Sequence, residues 1–129
     1  MAVELSESER TQLGQVVTDI FNSWGVKDEL QIVLLGLPEK TKPRQLTRFR
    51  HGQQPLPQED ELLDRAKHIL GIQQSLDIMF PLNKNMPNFW LHNRNRSLKG
   101  IPLTIMLETG LIGMGRVWRT LDCTQNWED

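Results

Sequence analysis

Apolar residues recur along most of this chain at intervals of three and four, the spacing of helices that bury one face. The first such stripe consists of Leu13, Val16, Val17, Ile20, Phe21 and Trp24. Before it, Ser6 and Glu9 have the spacing of a capping box, in which the hydroxyl and the carboxylate each accept a bond from a free backbone amide. Gly25 follows the stripe and is a typical residue just past a helix end. The pattern therefore predicts a first helix between Ser6 and Gly25.

Two shorter helices are predicted in the remainder of the front half. We expect Asp28 to cap the second helix with its carboxylate, and Gly36 and Pro38 to end it. The buried stripe of this helix is predicted to be Leu30, Val33, Leu34 and Leu37. The third helix should begin near Pro43, a favourable first-turn residue, and end at Gly52. Its inward-facing residues should be Leu46 and Phe49.

A proline-containing segment, residues 53–57, is predicted to link this front half to a long fourth helix that ends at Pro81. The apolar face of the fourth helix is expected to comprise Leu62, Ala66, Ile69, Ile72, Leu76, Met79 and Phe80. Shorter helices are expected over residues 86–92, 102–108 and 112–121. Since no strand pattern exceeds four residues, the sequence predicts an all-α protein, with one domain at residues 1–54 and another at residues 55–129.

Charge is unevenly distributed along the chain, although the net charge at pH 7 is only −1. Residues 1–39 hold two basic and seven acidic side chains, whereas residues 40–52 hold five basic side chains and no acidic one. A second acid-free window, residues 78–107, contains Lys84, Arg94, Arg96 and Lys99. Blocks of one sign are typical of a surface that meets an anionic or polar partner, although each window could equally be a solvated face.

Several kinds of chemistry are disfavoured by the sequence. The histidines at 51, 68 and 92 lack the spacing of zinc ligands, so no metal site is expected. The glycines at 110, 113 and 115 lack the lysine and the preceding strand of a phosphate-binding loop. Cys123, the single cysteine, has no histidine near it in sequence and suits a reducing compartment. Because the start is acidic and no apolar run is long enough for a membrane span, we expect a cytoplasmic protein. Because the histidine, glycine and cysteine patterns indicate no catalytic or metal-binding site, we expect a protein that is not an enzyme and needs no cofactor.

The second and third helices have the composition of a helix-turn-helix unit that reads DNA. Apolar stripes would hold the two helices together while the third helix presents polar side chains outward. The residues predicted to contact DNA are Arg44, Gln45, Thr47, Arg48 and Arg50. The planar fork of arginine suits phosphates and guanine edges. The alternative is a three-helix packing unit whose basic face contacts the acidic first helix.

The last helix and the chain end are rich in residue types that dominate protein–protein hot spots, with Trp118 and Trp127 beside Arg116 and Arg119. Because the two arginines are three residues apart, a helix would place them on one face. We expect this end of the chain to bind another protein. The alternative is that Trp118 belongs to the core and the arginines only solvate the helix.

The back half also carries an ordered set of motifs. A run of fourteen residues, HILGIQQSLDIMFP, covers residues 68–81. It is followed by Trp90-Leu91, Asn95, Gly100, Pro102-Leu103, Met106, Gly110-Leu111 and the run RVWRTLD at residues 116–122. In sequence and order this set resembles the long central helix and the toxin-binding domain of the Xre/MbcA/ParS antitoxins. The resemblance covers about residues 58–122, and the front half resembles the family's amino-terminal helix-turn-helix more loosely.

The resemblance implies an antitoxin of a type II toxin–antitoxin system, with a helix-turn-helix-like amino-terminal bundle joined to a compact helical toxin-binding domain. In that family the carboxy-terminal domain binds a RES-class toxin and blocks its NAD-consuming pocket, while the front half dimerises and often binds the operon's own promoter. The residues predicted to contact the toxin are Trp90, Leu91, Asn95, Gly100, Pro102, Arg116, Arg119 and Trp127. This chain departs from the family in the longer connection between Gly36 and Gly52 and in Lys99, which stands where a second glycine is usual.

Two other functions stay open at the level of sequence. One is a DNA-binding transcriptional regulator whose carboxy-terminal half only dimerises. The other is an enzyme that acts on a nucleotide, for which the glycine run at residues 110–115 is the sole indication.

Overall fold

Seven α-helices follow one another in the part of the chain that the computed structural model describes, which is residues 4–127 without the side chains of residues 124–127. They are α1 (Glu7–Ser23), α2 (Asp28–Leu35), α3 (Pro43–Arg50), α4 (Asp60–Met79), α5 (Met86–His92), α6 (Pro102–Thr109) and α7 (Leu111–Trp127). The described residues form no strand, and an isolated bridge joins Asn95 to Gly100. The predicted all-α fold is confirmed.

The ends of α1 follow from local sequence signals, as predicted. The backbone N–H of Glu9 donates to the Ser6 hydroxyl over 3.1 Å, and the backbone N–H of Ser6 donates to the Glu9 carboxylate over 2.9 Å. The bond from the Ser6 backbone N–H, and to a smaller extent the Ser6 side chain, lowers the pKa of Glu9 because it stabilises the ionised carboxylate. At the other end, Trp24 is the C-cap and Gly25 takes a left-handed conformation with φ 70°. The capping box and the glycine stop are both confirmed.

The chain divides into two compact units, Met1–Lys67 and His68–Asp129, and the division falls inside α4. We call them unit 1 and unit 2. The predicted division into a helix-turn-helix-like domain at residues 1–54 and a toxin-binding domain at residues 55–129 stays a prediction.

In unit 1 the proline-containing segment is bound to α1 rather than extended as a separate linker. Leu56 is fully buried, and its side chain lies against Gly14 of α1. The Arg10 guanidinium donates to the Leu56 carbonyl over 2.8 Å, and the Leu56 N–H donates to the Arg10 carbonyl over 3.4 Å. Burial of this leucine and its two backbone bonds therefore make residues 53–57 part of the packing of unit 1.

The predicted inward face of α2 is right for Leu34 and Leu37, which are buried, and wrong for the other two residues. Val33 is 47% exposed and Leu30 is half-buried, whereas Ile32 and Leu35 are buried. The reason is Gln31, a fully buried amide that donates to the Asn22 side chain over 3.0 Å and to the Val26 carbonyl over 2.9 Å. A buried amide must keep its hydrogen bonds, so these bonds set the rotation of the helix.

Two further predictions for the front half also need correction. Val16 of α1 is 46% exposed, so it does not share the buried stripe of that helix. The N-cap of α2 is Lys27 and no side chain caps this helix; Asp28 is its first residue. By contrast, Gly36 ends α2 at φ 73°, and Leu46 and Phe49 are buried, as predicted.

The core of unit 2 forms where α6 packs against α7 and α5 packs against α6. Its fully buried side chains include Ile69, Ile72, Leu76, Leu91, Met114, Val117 and Leu121. Helix α7 continues to Trp127, beyond the predicted end at Leu121, because residues 122–126 contain neither glycine nor proline to stop it. No helix within the described residues combines the length and the apolarity that crossing a membrane requires.

A close approach between α4 and α7 occurs at Gly71. The ring of Trp118 lies directly over this glycine, so a Cβ there would overlap the ring. His68 meets the same ring edge-on, with 5.3 Å between the ring centroids. One helical turn further, the Ser75 hydroxyl donates to the Asp122 carboxylate over 2.9 Å. Gly71 is therefore required by packing, not by backbone conformation.

We predict opposite effects on stability for alanine at two helical glycines. Gly71→Ala should lower the free energy of unfolding by about 1–3 kcal/mol, because the Trp118 ring must move. Gly115→Ala should raise it by up to about 1 kcal/mol, because no heavy atom lies within 4 Å of the added carbon and alanine favours helix. Urea unfolding followed by circular dichroism measures both. Equal effects at the two sites would contradict the assigned packing of Trp118.

Candidate functional site

Four cationic side chains surround a surface cleft at the start of α3. The cleft has a volume of about 200 Å³ and is lined by Lys40, Lys42, Arg44, Gln45 and Arg48. We call it the basic cleft. Arg44 and Gln45 are the second and third residues of α3, so their backbone amides belong to the positive end of the helix dipole. A cleft lined by four cations and an amide suits an anion such as a phosphate.

The segment before α3 separates the basic cleft from a second, mainly apolar cleft. Lys40, Lys42 and Arg44 line the basic cleft. The alternate residues Glu39, Thr41 and Pro43 line the other cleft, which has a volume of about 230 Å³, together with residues from α2 and its end: Glu29, Ile32, Val33 and Leu37. The alternation runs through a turn at Glu39 and Lys40, which the 2.9 Å bond from the Thr41 N–H to the Pro38 carbonyl closes, and into the first two residues of α3. The cations of this segment therefore line the basic cleft and not the apolar one.

Of the predicted DNA-contacting residues, Arg50 has a structural role. Its guanidinium lies 3.1 Å from the Asp28 carboxylate and donates to the Gln31 side chain over 3.3 Å. The Arg50 side chain is only 21% exposed. Arg50 thus joins α3 to α2 within unit 1. Arg44, Thr47 and Arg48 are exposed and Gln45 is half-buried, so these four lie where a partner can reach them.

The connection between α2 and α3 differs from that of a tight helix-turn-helix. Residues 36–42, seven in all, separate the two helices, whereas the turn of the motif has about three or four residues. The longer connection brings Lys40 and Lys42 to the start of α3. The departure that the sequence indicated is therefore also what builds half of the basic cleft.

A second candidate site is a short, ordered loop between α5 and α6. We call residues 94–100 the basic loop. Asn95 and Gly100 exchange backbone hydrogen bonds of 2.8 and 3.3 Å, and the Asn95 side chain accepts a 3.0 Å bond from the Leu98 N–H. Leu98 is buried, and its carbonyl accepts a 3.2 Å bond from the Arg116 guanidinium of α7. Two side chains of the loop itself, Asn95 and Leu98, and one from α7, Arg116, thus stabilise its conformation.

The exposed part of the basic loop is cationic. Arg94, Arg96 and Lys99 are all exposed. Lys99 takes the left-handed conformation, with φ 58°, which is uncommon for a residue with a side chain. Lys99, which stands where a second glycine is usual in the family it resembles, thus adopts a conformation that glycine takes freely.

The residues predicted to contact a toxin are of three kinds: those buried in unit 2, those that shape the basic loop, and those that lie elsewhere in unit 2. Leu91 and Pro102 are buried in unit 2, where they pack rather than meet a partner. Asn95, Gly100 and Arg116 come together to shape the basic loop.

The remaining predicted contacts lie elsewhere in unit 2. Trp90 is half-buried, and Arg119 is exposed on α7. Trp127 ends α7, but its side chain lies outside the described residues. Trp118, which was open to either interpretation, packs over Gly71 and against His68.

Five cations of the two sites were not among the predicted site residues: Lys40 and Lys42 in the basic cleft, and Arg94, Arg96 and Lys99 in the basic loop. The signal that could have found them is the pair of acid-free windows in the sequence, since each site lies inside one window. Among the described residues, no group of three or more histidine, cysteine or acidic side chains is placed to hold a metal ion.

Comparison with known proteins does not show the family. No protein-family model matches the chain, and a search of curated proteins finds no match. The resemblance to the Xre/MbcA/ParS antitoxins therefore stays a prediction.

We predict that two arginines of α3 differ sharply in their effect on stability. Arg50→Ala should lower the free energy of unfolding by about 1–3 kcal/mol, because it leaves the buried Gln31 oxygen without its donor. Arg48→Ala should change it by less than about 0.5 kcal/mol, because Arg48 is exposed. Urea unfolding measures both values. A cost at Arg48 equal to that at Arg50 would contradict the assignment of Arg50 as the packing residue.

Proposed function

We propose that this chain is an antitoxin of a type II toxin–antitoxin system, and that unit 2 binds a RES-class toxin and covers its NAD-consuming pocket. The observation that carries the proposal is the basic loop. Three residues that the family resemblance singled out, Asn95, Gly100 and Arg116, cooperate in ordering this one loop. Residues far apart in sequence thus support a single exposed element.

An ordered loop is well suited to inhibition by occlusion. A protein that blocks a pocket needs a surface that keeps its shape, because ordering a flexible segment on binding reduces affinity. The basic loop is already held by five hydrogen bonds and by the buried Leu98. Such a function needs neither a cofactor nor a catalytic group in this chain. We further propose a cytoplasmic complex in which this chain is a homodimer.

We predict that the RES-domain protein encoded beside this gene, where present, co-purifies with the full chain and loses NAD consumption in the complex. Asn95→Ala should weaken the complex roughly twofold to tenfold, because it removes the side-chain acceptor of the Leu98 N–H. Isothermal calorimetry measures the affinity, and an NAD assay measures inhibition.

The matched control is Asn83→Ala, since the Asn83 side chain is exposed and also accepts a bond from a backbone N–H, that of Asn85, outside the loop. This variant should bind like the unmodified chain. A toxin that retains full NAD consumption with the unmodified chain in excess would refute the proposed function.

A second function, binding of promoter DNA through unit 1, is favoured by the basic cleft. Helix-turn-helix proteins contact bases with the first residues of the second helix. Arg44 and Gln45 hold those positions in α3, and Lys40 and Lys42 precede them. The antitoxin could bind its own promoter in this way. The same cleft would serve a transcriptional regulator without a toxin, in which unit 2 only dimerises.

We predict that Arg44→Ala and Arg48→Ala each weaken the salt dependence of promoter binding. The slope of log affinity against log salt should become less negative by about 0.9, because each variant removes one phosphate contact and the counterion that this contact releases. Fluorescence anisotropy over a salt series measures the slope. Lys67→Ala is the control, as an exposed cation of unit 1 outside the basic cleft. Unchanged slopes for both arginine variants would exclude the basic cleft as the DNA contact.

A further inference from the structure

The charge of the basic loop is not neutralised within unit 2. In the described part of the chain, neither Arg94 nor Arg96 nor Lys99 forms an ion pair. Acidic side chains are absent from residues 78–107. The window is bounded by Asp77, which accepts a bond from Gln73 over 2.8 Å, and by the exposed Glu108 of α6. Three cations therefore lie on one short loop, and no carboxylate from residues 78–107 is available to pair with them.

The conformation of Lys99 adds a second argument. A residue with a side chain in the left-handed region costs about 1 kcal/mol or more relative to its usual conformation, whereas glycine adopts this region freely. Glycine at this position would therefore relieve strain and keep the loop. Strained residues of this kind cluster at functional sites, where the side chain contributes something that a relaxed residue cannot. At Lys99 the only such contribution is its cation.

The neighbours of the loop favour a protein partner over a nucleic acid. Phe89, shortly before the loop, is 60% exposed, and Ile101, directly after it, is 38% exposed. Nucleic-acid interfaces are polar and strongly cationic. Protein interfaces instead combine arginine with aromatic and apolar residues at their centre. The basic loop, with cations flanked by exposed apolar side chains, therefore has the composition of a protein interface.

From these observations we infer that the basic loop docks onto an acidic surface of the toxin, with Arg94, Arg96 and Lys99 contacting carboxylates of that surface. The inference rests on the proposed function and adds to it the element that makes the contact and the chemistry of the surface contacted. Arg116 has a positioning role, since its guanidinium holds the Leu98 carbonyl at the base of the loop.

The test compares full-length variants for binding to the purified RES-domain toxin. Lys99→Gly should melt at or above the temperature of the unmodified chain, yet bind the toxin about fivefold to tenfold more weakly. The double variant Arg94→Gln/Arg96→Gln should bind at least about tenfold more weakly and depend less on salt, as expected for interfacial ion pairs. Lys84→Gln is the control, because Lys84 is an exposed cation of unit 2 outside the loop, and it should bind within about twofold of the unmodified chain.

A second measurement does not depend on any variant. A carbodiimide that joins amines to carboxylates in direct contact should couple Lys99 to an acidic residue of the toxin, which peptide mass spectrometry identifies. Loop variants that bind like the unmodified chain, with no Lys99 cross-link, would overturn the inference and leave the proposed function intact. Failure of the unmodified chain to bind the toxin would overturn both. Loss of duplex DNA binding instead of toxin binding would show that the loop contacts nucleic acid and overturn the inference.

Discussion

The hydrogen bond from the Arg116 guanidinium to the Leu98 carbonyl is the interaction on which the candidate protein-binding surface depends. It joins the last helix to a loop that lies 18 residues earlier in the chain. Leu98 is buried beneath this bond, so the loop is anchored through its backbone and its side chain together. The hypothesis that α7 binds a partner and the hypothesis that the basic loop does so are therefore linked, because Arg116 of α7 helps to hold the loop. A change at Arg116 acts on the loop even where Arg116 touches no partner.

Most helix limits could be predicted because the signals that set them are local. The capping box at Ser6, the glycine stop at Gly36 and the first-turn proline at Pro43 each act within one helical turn. The rotation of α2 could not be predicted in the same way. Four consecutive apolar residues, 32–35, leave its buried face undefined, and the deciding group is Gln31, whose partners lie in the preceding helix and turn. Such contacts leave no periodic trace in the sequence.

The candidate sites were partly predictable for a related reason. The acid-free windows indicated where cations concentrate, and both sites lie inside them. Composition alone could not distinguish an arginine that binds its own chain from one that is exposed to a partner. Arg48 and Arg50 differ in this respect although two residues apart, because a carboxylate at Asp28 faces only Arg50. The left-handed conformation of Lys99 was equally hidden, since lysine gives no local indication of it.

The alternation of side chains between Glu39 and Arg44 has a consequence for how this protein can change over evolution. Even-numbered residues of the segment face one cleft and odd-numbered residues face the other. Loss or gain of a single residue before Pro43 would disturb the turn that the Thr41 N–H closes with the Pro38 carbonyl, and so displace residues of both clefts. Substitutions can adjust each cleft separately, whereas any change in length alters both at once. The segment is therefore expected to tolerate sequence drift far better than insertion or deletion.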